Sequence, residues 1–294
     1  MLKKSILLEN KASLTTKNLQ LVIKTDSKES TIPIEDIGFL VIDNPEVYIS
    51  IPTLNLLVEN NTSVIICNTN HLPNGMFLNL NSHHIQQEIF KNQINATVPL
   101  KKQLWQQTIV EKISNQGILL ETITSKKNNF EFLASKVLSG DTSNMEGVAA
   151  GFYWKSFFEI KFKRERFGDY PNNFLNYGYA ILRAATARAL SGSGLLNTLG
   201  IHHKSKYNAF ALADDIMEPY RPIVDEKVFE LMQKYEEQEL NTKIKSELLQ
   251  LLTRTVYFKE EKSPLMVALQ KTASSLQQCY TGDRKKIKYP KLWN

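Results

Sequence analysis

Cysteine is scarce in this sequence: there are two in 294 residues, Cys67 and Cys279, and no CxxC pair. That excludes a disulfide framework. Cys67 lies in the apolar run Ser63-Val-Ile-Ile-Cys-Asn68, which reads as a buried strand, so its thiol is expected as a small core group in a reducing compartment. Nowhere do about 18 apolar residues run together, so no segment is expected to span a membrane. The opening Met1-Leu-Lys-Lys-Ser-Ile-Leu-Leu-Glu9 has the charge-then-apolar order of a secretion signal, but its apolar stretch is too short and Glu9 interrupts it. Internal repeats and low-complexity tracts are missing as well. What these absences leave is an ordinary globular chain, expected in the cytoplasm.

The length of 294 residues predicts two domains, and 42% hydrophobic residues suffice for a sizeable core. Lysine and arginine outnumber aspartate and glutamate by 36 to 30. Such an excess is compatible with a polyanionic partner, because basic side chains on phosphates release condensed counterions, although many soluble proteins are equally basic.

Two kinds of patterning divide the chain. Up to about residue 80 it reads as strands and turns: 5–8, 12–16 and 19–24 are short segments parted by Asn10-Lys11 and Lys17-Asn18. The runs 38–43 and 63–67 are continuously apolar, as expected of strands covered on both faces. Between them 52–59 has helical spacing, with Pro52 near its first turn. Leu72-Pro-Asn-Gly75 signals a turn before a last strand, 76–80. Beyond residue 82 the spacing becomes helical, with helices expected over 83–95, 100–124, 130–138, 145–163, 174–190, 224–240, 245–258 and 264–279. Gly117 raises the question whether 100–124 is one helix. The expected fold is α+β, with a small β-rich domain over 1–80, a linker over 81–98 and a larger all-α domain over 99–294.

Two segments carry candidate chemistry. In Gly140-Asp-Thr-Ser-Asn-Met-Glu-Gly-Val-Ala-Ala-Gly151, Asp141 or Ser143 can cap a helix, and Glu146 stands at capping-box distance from Ser143. The small residues after it let this turn lie tight against a neighbour, where a carboxylate is well placed for a buried site, so both readings of Glu146 stand. In Leu199-Gly-Ile-His-His-Lys-Ser-Lys-Tyr-Asn208 two of the five histidines are adjacent, and Asn208 can cap a helix over 209–218. On that helix Asp215 and Glu218 share a face while Asp214 points elsewhere, and Pro219 fixes Glu218 on a terminal turn. Two carboxylates on a largely apolar helix need a partner, and a cation is the simplest. An imidazole with two or three carboxylates suits Mg²⁺ or Mn²⁺, and Zn²⁺ would accept the set too. The basic stretch 161–172, with interleaved aromatics, looks like a phosphate groove or a helix end with snorkelling side chains. The basic tail 284–291 reads most simply as a mobile terminus.

These residues resemble a known family. Met145-Glu-Gly-Val-Ala-Ala150, Asn172-Asn-Phe-Leu-Asn-Tyr-Gly-Tyr-Ala-Ile-Leu182, Leu199-Gly-Ile-His-His203 and Ala213-Asp-Asp-Ile-Met-Glu-Pro-Tyr-Arg-Pro222 stand in the order found in the CRISPR-associated spacer-acquisition integrases, in their compact type II form. The resemblance spans nearly the whole chain. It implies metal ligation by Glu146, His203 and Glu218, with Asp215 supporting the site and His202 as a mere neighbour. It also implies Mg²⁺ or Mn²⁺ as cofactor and a metal-dependent attack of a DNA 3′-hydroxyl on a repeat phosphodiester. Its implied partners are double-stranded DNA (prespacer and CRISPR repeat), a second copy of the chain, a dimer of the small "Cas two" protein, and in type II systems the effector nuclease and a further adaptation protein. Arg164, Arg166, Lys204 and Lys206 are the expected phosphate contacts, the first two on a continuation of the helix that carries Glu146. The alternatives are a general structure-specific DNase acting on branched DNA and a catalytically silent DNA-binding scaffold.

Overall fold

A computed structural model describes the chain except residues 1–2, 159–161, 166–167 and 260. The N-terminal region builds two four-stranded sheets from β1 (Lys4–Leu8), β2 (Ala12–Lys17), β3 (Gln20–Lys24), β4 (Glu29–Pro33), β5 (Ile37–Ile42), β6 (Val47–Ile49), β7 (Ser63–Cys67) and β8 (Pro73–Phe77), with α1 (Ile51–Glu59) between β6 and β7. One sheet has the order β1-β5-β7-β8, its first three strands parallel; the other has the order β4-β3-β2-β6. Alternation along the central strands explains their unbroken apolar runs. Leu40 and Val64 pack with Leu14, Leu21 and Leu57, whereas Phe39, Val41 and Ile65 join the core of the helices.

The helices are α2 (Gln86–Ile94), α3 (Val98–Thr124), α4 (Phe130–Ser135), α5 (Met145–Phe157), α6 (Asn172–Gly192), α7 (Ala211–Met217), α8 (Arg221–Lys234), α9 (Thr242–Leu249) and α10 (Leu265–Thr281). Gly117 does not break α3, which runs 27 residues from a Thr97 cap. Its lack of a side chain serves packing instead, since a Cβ there would stand 2.6 Å from the Phe130 Cβ on α4. The segment expected as a linker contains α2, whose buried Gln93 bonds the backbone of Leu196 and Leu199.

Four local expectations are corrected. The C-terminal region is helical but not all-α: β9 (Thr255–Phe258) pairs antiparallel with β10 (Glu261–Pro264), where a helix to Phe258 is expected. Short strands without an alternating apolar pattern gave no period-2 signal. Strands β4 and β6 went unforeseen for the same reason, and β8 begins at Pro73 inside the expected turn. Helix α5 ends at Phe157, where Phe158 is extended and its ring stacks on Trp154, and the described residues 162–165 do not continue that helix. The tail is docked: Ile287 N–H donates to Gln107, Tyr289 Oη pairs with Thr108, and Lys291 bridges to Tyr257.

Candidate metal and DNA site

Helix α3 is the base of the site. Leu104, Trp105, Ile109 and Ile113 are buried on it, and Lys112 lies among them with its side chain only 10% exposed. The Lys112 ammonium sits 2.6 Å from Glu146 Oε1 and 2.6 Å from Glu218 Oε2, so one buried cation joins the two carboxylates. Burial alone would push the ammonium down, but Glu218 and Glu146 more than offset this and hold its pKa above the ordinary lysine value.

Glu146 comes from the first turn of α5. The capping box does not form: Asn144 is the cap residue and accepts from Gly147 N–H, while Asp141 accepts from the N–H groups of Met145 and Glu146. The helix N-terminus is satisfied without the Glu146 side chain, which is free to reach Lys112.

Glu218 opens a short 3-10 turn, 218–220, where Pro219 ends α7 and α8 begins. Its second oxygen accepts from Arg221 Nε at 2.8 Å. Burial would raise this carboxyl, yet Arg221 and Lys112 overcome burial and bring it down to about 2, so it stays ionised. Asn115 on α3 donates to the Pro219 carbonyl and ties this turn to the same helix.

His203 is set by Asp215. The Asp215 carboxylate, with no exposed surface, accepts the backbone N–H groups of Ile201 and His202 and lies 2.5 Å from His203 Nδ1. The hydrogen bond to Asp215 raises the His203 pKa above its usual value although burial opposes it. Gly200 is required by this approach: a Cβ there would meet the His203 carbonyl at 2.5 Å and Asp215 Oδ2 at 2.8 Å. His202 instead stacks flat on Trp105, ring centres 4.2 Å apart. Asp214 points away, as expected, and pairs with Arg183 and Asn208. Asn208 accepts from Phe210 N–H just ahead of α7, which begins two residues later than expected.

Among the described residues no group of three or more His, Cys, Asp or Glu side chains could hold a metal ion as it stands. The donor chemistry nevertheless fits a hard divalent cation. Two carboxylates already converge on one cationic atom, and a half-exposed imidazole oriented through Nδ1 keeps Nε2 for a ligand.

The expected DNA contacts fall in different places. Lys204 and Lys206 are exposed and line a cleft of about 480 Å³ with Lys101 and His203. Arg164 sits in a loop, where Asn172 and Asn176 hold its guanidinium over Tyr179. It lines a separate cavity of about 450 Å³ with Arg183 and Arg221. Arg166 lies outside the described residues.

Sequence reasoning missed Lys112 and Arg221. The signal for Lys112 was its phase: it follows Trp105 by seven residues and Ile109 by three, inside the apolar stripe of α3.

This fold, a strand-rich N-terminal region on a helical body with the site in the helices, is shared with solved structures of a casposase and of Cas1 proteins. A casposase bound to its integration product superposes with a TM-score of 0.80 at 20% identity, covering 97% of this chain and 92% of that one. A Cas1 protein from Thermotoga maritima matches with a TM-score of 0.74 at 18% identity over 95% of this chain and 97% of that one. A chain of a Cas6-RT-Cas1–Cas2 complex matches with 0.74 at 19% identity, over 99% of this chain and 36% of that longer chain. At these identities the likeness is one of fold.

Sequence carries the assignment further. The family model described as CRISPR associated protein Cas1 matches residues 6–260. A CRISPR-associated endonuclease Cas1 from Neisseria meningitidis serogroup C (strain 8013) is 36% identical over 293 residues, covering 98% of this chain and 96% of the relative. The chain belongs to the Cas1 family.

Proposed function

We propose that this Cas1 family member is a CRISPR adaptation integrase: a DNA endonuclease and strand transferase, dependent on Mg²⁺ or Mn²⁺, that inserts short DNA spacers into the repeat array. The observation that carries this reading is the convergence of Glu146 and Glu218 on one cation position, with the His203 imidazole oriented by Asp215 and within the electrostatic influence of Glu218. Glu146, His203 and Glu218 would hold the divalent ion, with Asp215 as the positioning residue. When bound, such an ion supplies Lewis-acid activation of a phosphodiester and charge stabilisation as the reaction proceeds.

The chain's own residues divide the remaining work. Asp215 fixes the imidazole orientation, and Arg221 keeps Glu218 ionised and in place. In the transfer itself the DNA 3′-hydroxyl loses its proton and bonds to phosphorus, and the departing repeat 3′-oxygen takes up a proton. No covalent intermediate with the protein is required. Lys204 and Lys206 would bind phosphates in the cleft beside His203, and Arg164 and Arg166 would bind flanking DNA.

The proposed partners are duplex DNA of prespacer and repeat, a second copy of the chain, a Cas2 dimer and, in a type II system, the effector nuclease and a further adaptation protein. The fold shared with a casposase on its integration product and with a chain of a Cas1–Cas2 complex supports the first and third. Residues 1–80 would serve dimerisation, 81–98 the connection and 99–294 catalysis. No helix among the described residues is long and apolar enough to cross a membrane, in keeping with the proposed cytoplasmic setting.

A crystal soaked in Mn²⁺ tests the site directly. The anomalous peak is expected between Glu146, His203 and Glu218. A peak ligated by His202, or one on surface carboxylates only, would remove the basis for the assignment.

A further inference from the structure

The atom between Glu146 and Glu218 is the Lys112 ammonium, and a divalent ion held by those carboxylates would need the same position. The charge balance says when it can be there. Glu146, Glu218 and Asp215 against Lys112 and Arg221 leave one net negative charge, with His203 neutral. An ion that takes this position while the displaced ammonium, tethered to α3, stays close by turns the balance into one net positive charge, which a low-dielectric interior penalises. One phosphodiester restores neutrality.

The supports of the two carboxylates are unequal. Arg221 holds the other oxygen of Glu218, so Glu218 keeps its place if Lys112 leaves. Among the described residues Lys112 is the only ion partner of Glu146, whose side chain is 28% exposed and marks the solvent-facing edge of the site. A phosphate arriving at that edge comes close to the ammonium, which lies 2.6 Å behind Glu146 Oε1.

We propose that Lys112 gates metal loading: its ammonium fills the cation position in the DNA-free protein, and a DNA phosphate draws it off so that the divalent ion can enter. DNA binding and ion binding are then coupled through one side chain, and each strengthens the other. The inference rests on the metal reading of Glu146, His203 and Glu218 given above.

The test is Mn²⁺ affinity, read from the free-ion electron paramagnetic resonance signal, on the full chain with and without duplex DNA. The duplex ends in dideoxynucleotides so that no transfer occurs, and Mn²⁺ bound by DNA alone is subtracted. DNA is expected to raise the affinity about tenfold, the size of an ordinary coupling between two sites. Lys112→Met should bind Mn²⁺ tightly without DNA and lose the enhancement, while Lys112→Arg should behave as the parent. Equal affinity of the parent chain with and without DNA overturns the gate, as does a Met variant that keeps the enhancement. If the Met variant does not fold, the parent comparison decides alone. Mn²⁺ binding that ignores DNA sinks the gate and leaves the metal site standing; no Mn²⁺ binding under either condition sinks both.

Discussion

Asp215 and His203, twelve residues apart, are joined by a 2.5 Å contact from a carboxylate with no exposed surface to the Nδ1 of a half-exposed ring. This pair fixes the orientation of the His203 ring and leaves its Nε2 over, whereas His202 stacks on Trp105. Asp215→Asn would turn an amide N–H toward Nδ1, shift the ring proton to Nε2 and so block a cation there. Nitrogen-detected NMR of the imidazole should show the tautomer change. A ring whose Nε2 stays unprotonated in the Asn variant would contradict the orientation role.

The same pair sets a pH dependence. Because Asp215 raises the folded His203 pKa above 6.5, its contribution to stability is fully present below about 6.5 and is lost as pH rises through the folded value. Metal ligation runs the other way, since only the neutral ring can ligate. Mn²⁺ affinity should therefore fall, on acidification, at a higher pH than an ordinary imidazole would give. A proton NMR titration of the metal-free protein checks this: a His203 midpoint at or below 6.5 would refute it.

Gly200→Ala should cost stability and activity together. The added methyl meets the His203 carbonyl at 2.5 Å and Asp215 at 2.8 Å, so the 200–203 loop must move. Overpacking of this kind costs about 1–3 kcal/mol, visible as a lower melting temperature by calorimetry. An unchanged melting temperature would show that the loop yields freely.

Much of this was legible in the residues and some was not. The central strands announced themselves as the unbroken apolar runs 39–42 and 64–66, most of whose side chains are buried. Asp215, Glu218 and His203 were legible as polar groups on apolar segments. Lys112 was not, because a lone lysine on a long helix ordinarily reads as solvated; only its phase with Trp105 and Ile109 betrayed it. Arg221 stood inside a segment already singled out, but its pairing with Glu218 depends on the 3-10 turn that Pro219 imposes. The tail looked mobile because its charges alternate with few apolar residues, yet buried Ile287 and Leu292 anchor it.

The cap and the ligand separate by mutation. Asp141→Ala removes acceptors of two helix N–H groups and should destabilise by about 1 kcal/mol, as cap losses do. Glu146→Ala removes no cap and should leave the start of α5 intact, while abolishing strand transfer. Melting curves and transfer assays on both variants check this. An active Glu146→Ala chain with a lowered melting temperature would restore the capping role.

Lys204 and Lys206 flank the imidazole from an exposed loop. If they contact phosphates, neutralising both should weaken binding to every duplex alike. It should also reduce the slope of log affinity against log salt by about two. Fluorescence anisotropy without metal gives the slope. An unchanged slope would mark them as solvated charges.

Metal-dependent strand transfer through Glu146, His203 and Glu218 is measured most directly as the covalent joining of a labelled short duplex to a supercoiled repeat-bearing plasmid, with the Cas2 partner and Mn²⁺ present. A joined product is expected, abolished by chelation or by a 3′-dideoxy end. That product should be lost in Glu146→Ala, His203→Ala and Glu218→Ala and survive at reduced level in His202→Ala. A joined product that persists under chelation or in Glu218→Ala, or that vanishes in His202→Ala while surviving in His203→Ala, would contradict metal-dependent transfer through these residues.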